Sequence, residues 1–493
     1  MATATVVFVP YWASGHFMSM IEAGKRMLHA GGGALSLTVL VMQAPTPGKA
    51  AEVEEHVHRE EASSGRLDVS FIRLPAVEPP TGCAGVEEFN FRYVELHAPR
   101  IAEAVAALTA VPVAAVVVDL FCTPLLDVAS ELAVPRYVYF ASTAAFLALM
   151  LRLPALREEH SDVFEEMEKD GAAPVPGLPP VPRSHMPVCL SRTNYRWFEY
   201  YGRRFLDASG GVIVNSCAEL ERGVIAAIAD GRCVPSRPGP AVHAIGPVIW
   251  FNGAREDDER RKHECVRWLD GQQRSTVVFL CFGSIGWMST EQVAKVAAGL
   301  ERSGHPFLWV LRGPPAGSSR YPTDADLNAL LPDGFLARTE GKGLVWPTWA
   351  PQKEILAHPA VGGFVTHCGW NSVLESLWHG VPMVPWPLYG EQHLNAFELV
   401  AEMGVAVELE MADRDEQGKS IVEAAGLDKA VRSVMGETQE GRKAREKAAE
   451  TMAACRKAVA EGGSSHAALR KLVREIAPDG VVQLPVARKW HAG

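Results

Sequence analysis

Residues 366–380, THCGWNSVLESLWHG, mark the point where an apolar run ends and a helical pattern begins. The run before them, VGGFVTH (361–367), predicts a buried strand because it is apolar without polar alternation. Gly369 permits a turn without a Cβ, and Asn371 and Ser372 are residue types favoured at the N-cap of a helix. The stretch therefore predicts a strand, a turn and a helix in direct succession, as in an α/β fold.

Short Val-rich runs alternate with helical patterns along both halves of the 493-residue chain. The first half contains VVFVP, LSLTVLV, AAVVVDLF, RYVYF and GVIVNS, and the second contains TVVFLCFGS, PFLWVLR, GLVWPTW, VGGFVTH and VPMVPW. Strands that are apolar throughout are typical of a parallel sheet covered by helices on both faces. Because the length also favours two domains, we predict two doubly wound, Rossmann-like α/β domains facing each other across a cleft.

The boundary between these domains is predicted where the apolar pattern is lost. IGPVIWFNGAREDDERRKHE becomes a dense run of charges after Trp250, so we place a linker at 249–264. The N-terminal domain is then 1–248, which would bind the acceptor, and the C-terminal domain is 265–470. A last helical pattern, GGSSHAALRKLVREIAP, leads into a tail at 471–493, which we expect to return to the N-terminal domain.

Composition and charge limit the partners of the chain. A net charge of −10 disfavours nucleic acid, whose binding needs clustered Lys and Arg. Nine cysteines without a C-x-x-C pair are typical of reduced thiols in an intracellular protein. The first residues lack the basic region of a signal peptide, and the apolar stretch from Tyr137 to Leu151 is short for a membrane span. We expect a cytoplasmic monomer without stable membrane insertion.

The helix that begins near Asn371 can bind an anion at its N-terminus. Unpaired N–H groups and the positive end of the helix dipole favour a phosphate there, and His367 at the strand end can add a donor. The alternative is purely structural, because Ser372 and Glu375 have the spacing of a capping box. In that arrangement Glu375 folds back onto the helix N-terminus and no ligand is bound.

Two neighbouring strand ends carry chemistry that complements an anion site. WAPQKEIL places Trp349 at the end of one strand, and WPLYGEQHLNAF places Glu391 and Gln392 at another strand-to-helix turn. These turns would present an aromatic plate, an anion site and a pair of hydroxyl-binding side chains at one sheet edge. A nucleotide base, a diphosphate and a sugar need those three features.

Residues 349–392, WAPQKEILAHPAVGGFVTHCGWNSVLESLWHGVPMVPWPLYGEQ, resemble the signature box of the plant family 1 UDP-glycosyltransferases almost throughout. The resemblance implies the GT-B fold and a UDP-sugar held by the C-terminal half. It implies that Trp349 stacks on uracil and that the Ala350 backbone pairs with the edge of that base. It implies that Gln352 and Glu375 hold the ribose, and that the diphosphate is bound by His367, Asn371, Ser372 and Ser284. The residues that it places at the sugar are Trp370, Glu391 and Gln392.

The end of the signature box bears on the identity of the sugar. In the family, a tryptophan at the Trp370 position together with a final glutamine, here Gln392, accompanies glucose, whereas a final histidine suggests galactose. Glu391 stands where most members carry aspartate, which keeps the carboxylate but changes its reach. The ribose role of Glu375 would exclude its capping-box role. The resemblance thus implies UDP-glucose as the donor substrate, with no cofactor.

A base is needed on the other side of the cleft. His16, in YWASGHF after the first strand, lies near the start of a helix whose N-terminus disfavours imidazolium. Asp119 ends a Val-rich run and can orient His16 as in a catalytic triad, because the strand ends of one parallel sheet lie together. The pair resembles the family's catalytic dyad, and GHFMSM matches its loop except at Ser19, where proline is common. We expect general-base catalysis without a metal.

Other candidate groups have ordinary structural interpretations beside functional ones. Ser142 and Thr143 follow the run RYVYF and are either helix N-caps or contacts to the sugar or a phosphate. The aromatic group NYRWFEYYGRRF from Asn194 either packs in the core or walls the acceptor pocket. His56 and His58 lie in a charge-rich segment typical of a solvated face, so we expect no metal site.

These patterns together predict an inverting transfer of glucose from UDP-glucose to a hydroxyl of a small lipophilic acceptor, such as a flavonoid or another phenolic. The absence of G-x-G-x-x-G after the first strand disfavours a Rossmann oxidoreductase, and the absence of G-x-S-x-G disfavours a serine hydrolase. The alternative is a non-catalytic nucleotide-sugar or small-molecule binding protein, which would need the donor site without His16 and Asp119.

Overall fold

The structure is a computed structural model that describes residues 4–63, 67–108, 112–130, 134–159, 172–235, 237–251, 263–317, 321–414 and 420–477. Each half of the chain contains one parallel β-sheet. The strands of the first sheet are β1 (Ala4–Val9), β2 (Leu35–Val41), β3 (Val69–Arg73), β4 (Val113–Asp119), β5 (Arg136–Phe140), β6 (Gly211–Val214) and β7 (Val242–Ala244). The strands of the second sheet are β8 (Val277–Cys281), β9 (Phe307–Val310), β10 (Gly343–Trp346), β11 (Val361–Thr366) and β12 (Met383–Pro385).

Helices connect these strands and cover both sheets. In the first half they are α1 (Ser14–Ala30), α2 (Pro47–Ser63), α3 (Val86–Leu96), α4 (Ala98–Ala106), α5 (Leu126–Ser130), α6 (Ala144–Glu159), α7 (Tyr195–Phe205) and α8 (Ala218–Ala229). In the second half they are α9 (Glu264–Asp270), α10 (Thr290–Ser303), α11 (Leu327–Leu330), α12 (Phe335–Arg338), α13 (Gln352–Ala357), α14 (Trp370–His379), α15 (Gln392–Phe397), α16 (Ala424–Arg432), α17 (Gln439–Val459) and α18 (Ser464–Ile476).

Shorter elements complete the described chain. The 3₁₀-helices are Leu120–Leu125 and Arg183–His185, and the π-helical turns are Glu398–Glu402 and Ser433–Glu437. Two-stranded pairs join Ala172–Ala173 to Val181–Pro182, Arg312–Pro315 to Pro322–Asp324, and Ala412–Arg414 to Ser420–Ile421.

The strands are apolar on both sides because helices cover both faces of each sheet. In β8, Val277 and Phe279 pack into the core on one face, whereas Val278 and Leu280 pack into the core on the other. Successive side chains of a strand point to opposite faces, and burying each one contributes roughly 1.5–3 kcal/mol. The predicted pair of doubly wound α/β halves is confirmed.

The strand order explains where a ligand can bind. The order is β3-β2-β1-β4-β5-β6-β7 in the first sheet and β10-β9-β8-β11-β12 in the second. In each sheet the winding direction changes at one point, between β1 and β4 and between β8 and β11. The crevice beyond the carboxyl ends of strands at such a point is the usual ligand site of a doubly wound sheet.

The two halves are joined near the predicted linker and again at the last helix. Val248 packs in the core of the first half and Ile249 in a core of the second. Most of the predicted linker, 252–262, lies outside the described residues, as does 478–493 of the predicted tail. Helix α18 packs against α1 and β7 and places Leu472 and Val473 in the first core. The domain limits themselves remain predictions.

Two further sequence expectations concern the thiols and the membrane. All nine cysteines are free thiols, as the irregular spacing predicted. Among the described helices, none combines the length with the apolar composition that a bilayer span would require.

Candidate active site

His16 and Asp119 meet at the switch point of the first sheet. His16 lies in the first turn of α1, and Asp119 is the last residue of β4. The Nδ1 atom of His16 lies 2.9 Å from Oδ2 of Asp119. Asp119 is fully buried, and its Oδ1 accepts a hydrogen bond of 3.0 Å from the N–H of Phe121. Because Nδ1 is engaged and the His16 side chain is 25% exposed, Nε2 is the ring nitrogen available to a ligand.

Asp119 makes His16 easier to protonate. Burial lowers the pKa of His16, but the Coulombic attraction of Asp119 and the hydrogen bond to it raise that pKa, with a smaller contribution from Glu391. The net result is a pKa above the ordinary value of 6.5. The contact with the Asp119 carboxylate thus favours the imidazolium, in the direction opposite to the effect expected of the helix N-terminus.

Aromatic rings surround His16. The ring centroids of Tyr11 and Phe121 lie 5.8 Å and 5.3 Å from that of His16, and Tyr201 packs edge-on against Phe121 at 5.7 Å. The buried side chains of α7, Tyr201 among them, are core packing, which favours the structural interpretation of the aromatic group. Sequence reasoning missed Tyr11 and Phe121, although both lie close in sequence to the predicted dyad.

The capping-box interpretation of α14 is wrong. The helix begins at Trp370 and its N-cap is Gly369, which has no side chain to satisfy the first N–H groups. Ser372 therefore lies inside the first turn, and the Glu375 carboxylate binds Gln352 rather than the N-cap amide. The left-handed residue of the turn is Cys368, with φ 66°, rather than Gly369. The N-terminus of α14 is thus uncapped by any described side chain, as an anion site requires.

Glu375 forms part of a polar group with α13. The Nε2 atom of Gln352 donates to Oε2 of Glu375 at 2.7 Å and to Oγ of Ser372 at 2.9 Å. Burial raises the pKa of Glu375. The two predicted ribose ligands are therefore neighbours and lie beside the first turn of α14.

Two glycines make room for His367. An added Cβ at Gly283 or at Gly369 would lie 2.5 Å from Nε2 of His367. Burial lowers the pKa of His367 to about 4, so the ring is neutral at physiological pH. Among the described residues, Nδ1 of His367 has no hydrogen-bond partner. The close approach explains why both loops carry glycine, and it fixes the ring beside the turn before α14.

The predicted sugar-facing residues lie where the two halves touch. Oγ of Ser142, in the first half, donates to Oε1 of Glu391 at 2.9 Å. Oε1 of Gln392 accepts from the N–H groups of Leu388 and Tyr389, so its Nε2 points elsewhere. Thr143 is fully buried, and its hydroxyl caps α6 by accepting from the N–H of Phe146 at 3.0 Å, which is the ordinary N-cap role.

The remaining predicted donor residues differ in exposure. Trp349 is 65% exposed, which is unusual for an indole and leaves a flat apolar face open to solvent. Ala350, next to it, is buried, and Ser284 is exposed after the left-handed Gly283. The position of Trp349 suits a residue that stacks on a ligand rather than one that packs in the core.

Direct contacts join the first turn of α14 to the first half of the chain near His16. Nδ2 of Asn371 donates to the carbonyl oxygen of Gly15 at 2.9 Å, one residue before His16. The indole N–H of Trp370 donates to the carbonyl oxygen of Asn215 at 2.7 Å, and Trp370 is almost fully buried. The indole of Trp370 is thus a contact between the halves, with little surface left for a sugar.

Sequence reasoning missed Asn215 and undervalued Ser19. Oδ1 and Nδ2 of Asn215 bind the backbone of Val248, and Nδ2 also donates to Oγ of Ser19 at 3.1 Å. Ser19 in turn lies 2.6 Å from the hydroxyl of Tyr139. The buried hydrogen bonds of Ser19 hold Asn215, whose carbonyl oxygen accepts from Trp370. Serine at this position therefore affects more than the start of α1. The polar Asn at the end of an apolar strand was the available signal.

The histidines of α2 stand apart from this site. His58 is exposed and lies 3.1 Å from Glu54, whereas both ring nitrogens of His56 are buried, unlike the solvated face that the sequence predicted. Within the described ranges, no group of three or more His, Cys, Asp or Glu side chains is placed to hold a metal ion.

Comparisons with known proteins identify the family of this chain. The sequence profile of the family described as UDP-glucoronosyl and UDP-glucosyl transferase matches residues 245–439. Malvidin galactosylase UGT88C3 of Oryza sativa subsp. japonica is 58% identical, over 98% of this chain and 100% of its own length. The anthocyanidin 5,3-O-glucosyltransferase of a Rosa hybrid cultivar is 36% identical, over 95% of this chain and 98% of its own.

A solved structure extends the likeness to three dimensions. UGT2 of Phytolacca americana, complexed with UDP-2-fluoro-glucose and pterostilbene, superposes with a TM-score of 0.79 at 31% identity, over 96% of this chain and all of that one. The similarity extends over both halves of the chain. We conclude that the chain belongs to the plant family 1 UDP-glycosyltransferases, has their GT-B fold and is a glycosyltransferase.

Proposed function

We propose that this enzyme transfers glucose from UDP-glucose to a hydroxyl of a phenolic acceptor, with inversion at the anomeric carbon. The observation that carries the proposal is the contact between Asn371 and Gly15, which brings the uncapped N-terminus of α14 next to His16 and Asp119. Residues 1–248 would bind the acceptor and residues 265–470 the donor.

The chemistry follows from the positions of these groups. The acceptor hydroxyl gives its proton to Nε2 of His16 as its oxygen attacks the anomeric carbon. The bond from that carbon to the diphosphate oxygen breaks, and the charge of the leaving UDP is stabilised by the N–H groups at the start of α14. Asp119 stabilises the imidazolium that forms. One displacement inverts the anomeric configuration, and no covalent intermediate or metal is needed.

The donor would bind along the carboxyl edge of the second sheet. Trp349 would stack on uracil with Ala350 at its edge, and Gln352 and Glu375 would hold the ribose. The diphosphate would meet the remaining phosphate-binding residues, which are Ser284, His367, Asn371 and Ser372. The exposed indole and the shared Gln352–Glu375 hydrogen bond support this arrangement.

Glucose is proposed from the side chains at the sugar end. Because the carbonyl of Gln392 accepts from the backbone, its amide N–H₂ would donate to a sugar hydroxyl. Oε1 of Glu391 accepts from Ser142, so Oε2 of Glu391 would accept from the sugar. Galactose is the second candidate, since the relative that is 58% identical is named a malvidin galactosylase. The two sugars differ in the orientation of one hydroxyl, which is the group this pair would contact.

The acceptor is proposed to be a flat phenolic molecule. The aromatic rings of Tyr11 and Phe121 flank His16 and would stack against such a ring system. The relatives named above are described as acting on malvidin and anthocyanidin, and the solved neighbour holds pterostilbene. A phenol also loses its proton more readily than an aliphatic alcohol, which suits a single histidine base.

The direct test is to incubate the enzyme with UDP-glucose or UDP-galactose and a panel of phenolics, and to measure UDP release and product mass. We expect glycosides from both anthocyanidins and flavonols, with a higher kcat/KM for UDP-glucose. A higher kcat/KM for UDP-galactose would replace glucose by the second candidate. Tight UDP binding without any glycoside would favour a non-catalytic binding protein.

Removal of the exposed indole should weaken donor binding without harming the fold. We expect Trp349→Ala to raise KM for the UDP-sugar about 10-fold, because stacking on a base contributes about 1–3 kcal/mol, while kcat changes little. Trp349→Phe should recover most of the affinity, since it keeps an aromatic face. An unchanged KM in Trp349→Ala would remove Trp349 from the donor site.

A further inference from the structure

The turn before α14 contains a backbone conformation that L-amino acids avoid. Of the non-glycine residues that the structure describes, Cys368 and Ser275 have a positive φ, and Cys368 has φ 66°. Cys368 is fully buried and directly precedes Gly369, the N-cap of α14. Such a conformation persists only where surrounding contacts hold it. Those contacts therefore determine where the first N–H groups of α14 point.

Side chains bind both backbone groups of Cys368, and the N–H group donates to Oγ1 of Thr366 at 3.2 Å. Nδ2 of Asn395 donates to the carbonyl oxygen of Cys368 at 2.9 Å, and Asn395 is fully buried. In the described part of the chain, Oδ1 of Asn395 has no hydrogen-bond donor. An amide that leaves one buried acceptor unsatisfied is costly for stability, so its single hydrogen bond to Cys368 is the contact that accounts for its presence.

Asn395 also belongs to the helix that carries the sugar-facing pair. It lies in α15, which starts at Gln392, and its backbone N–H donates to the carbonyl oxygen of Glu391 at 3.2 Å. The same residue is therefore bonded to Glu391 through its backbone and to Cys368 through its side chain. It connects the proposed sugar end of the donor site to the proposed diphosphate end.

We propose that Asn395 is a positioning residue for the UDP-sugar, which acts by holding the left-handed Cys368 turn and thereby the N-terminus of α14. The inference rests on the proposed donor site. Asn395 does not touch the substrate, and its effect is transmitted through the carbonyl of Cys368. The amide is needed because a carboxylate would set oxygen against oxygen, and an apolar side chain would leave the carbonyl unpaired.

Calorimetric titration with UDP tests this without any turnover. We expect Asn395→Ala to weaken UDP binding about 10-fold, the effect of about one hydrogen bond. The control is Gln292→Ala, since Gln292 is also a buried amide bonded to the backbone, but at Val422. Gln292→Ala should lower the melting temperature while leaving the Kd for UDP within about twofold of the wild type.

A double-mutant cycle separates positioning from general stability. Glycine adopts positive φ without strain, so Cys368→Gly should relax the need for Asn395. We expect Asn395→Ala to weaken UDP binding about threefold or less in the Cys368→Gly background. Asn395→Asp keeps the side-chain volume, and at about pH 8 it should weaken UDP binding at least as much as Asn395→Ala. This variant replaces Asn395→Ala in the test if the alanine variant does not fold.

The outcomes are distinguishable. Wild-type protein that fails to bind UDP would overturn the proposed donor site itself. Wild-type binding together with unchanged affinity in Asn395→Ala, or in Asn395→Asp, would overturn the role of Asn395 alone. If Asn395→Ala costs the same UDP affinity with and without Cys368→Gly, then Asn395 acts independently of the turn, and the inference is overturned as well.

Discussion

Replacing His16 with alanine should lower kcat by about 1,000-fold, because the acceptor hydroxyl loses the group that takes its proton. The Kd for UDP should stay within about twofold of the wild type, since the proposed donor site is built from the second half of the chain. Steady-state rates with a phenolic acceptor, combined with calorimetric titration of UDP, measure both quantities on one preparation.

The matched control is His29→Ala, at the other end of α1. That variant should keep kcat near the wild-type value, which would show that removing an imidazole from this helix does not by itself disable the enzyme. Near-normal turnover in His16→Ala would end the assignment of His16 as the base.

Asp119→Asn should lower kcat by about 100-fold or more and shift the pH dependence of the reaction. A base must be neutral, so kcat/KM of the wild type should fall as pH drops through the His16 pKa, which lies above 6.5. The amide removes the negative charge that raises this pKa. The acid limb of the profile should therefore move to lower pH, even though the maximum rate falls.

A profile of kcat/KM from about pH 5 to about pH 9 for both proteins measures the shift. The pH dependence of the free energy of unfolding is an independent test of the pairing, and the raised pKa of His16 fixes the direction of that dependence. Because the folded pKa of His16 is raised, its pairing with Asp119 stabilises the protein fully below pH 6.5 and loses that contribution as pH rises through the folded value. An acid limb that stays in place in Asp119→Asn would contradict the pairing.

The parts of the site that the sequence predicted are those that depend on local pattern. Apolar runs identify parallel strands, and polar residues at their ends lie at the carboxyl edge of their sheet, Asp119 in the first sheet and His367 in the second. The switch point of the first sheet then brings His16 and Asp119 together although they are 103 positions apart in the sequence. The fold and the outline of the site therefore follow from strand ends, before any contact is known.

The missed features depend on how distant segments pack. The contacts from Asn371 to Gly15 and from Trp370 to Asn215 join the two halves of the chain, and no periodic pattern within either half specifies them. The same holds for the raised pKa of His16, where Asp119 and, to a smaller extent, Glu391 outweigh the lowering by burial. The capping-box prediction was wrong because α14 begins before Ser372, with Gly369 as its N-cap, and Glu375 binds Gln352 from another helix.

In the proposed reaction, transfer takes place between His16 and the first turn of α14. A crystal structure with UDP-2-fluoro-glucose and a phenolic acceptor bound tests that claim most directly. It should place diphosphate oxygens at about 3 Å from the N–H groups of Asn371 and Ser372, with the acceptor hydroxyl at a similar distance from Nε2 of His16. A diphosphate bound away from α14, or an acceptor held out of reach of His16, would contradict it.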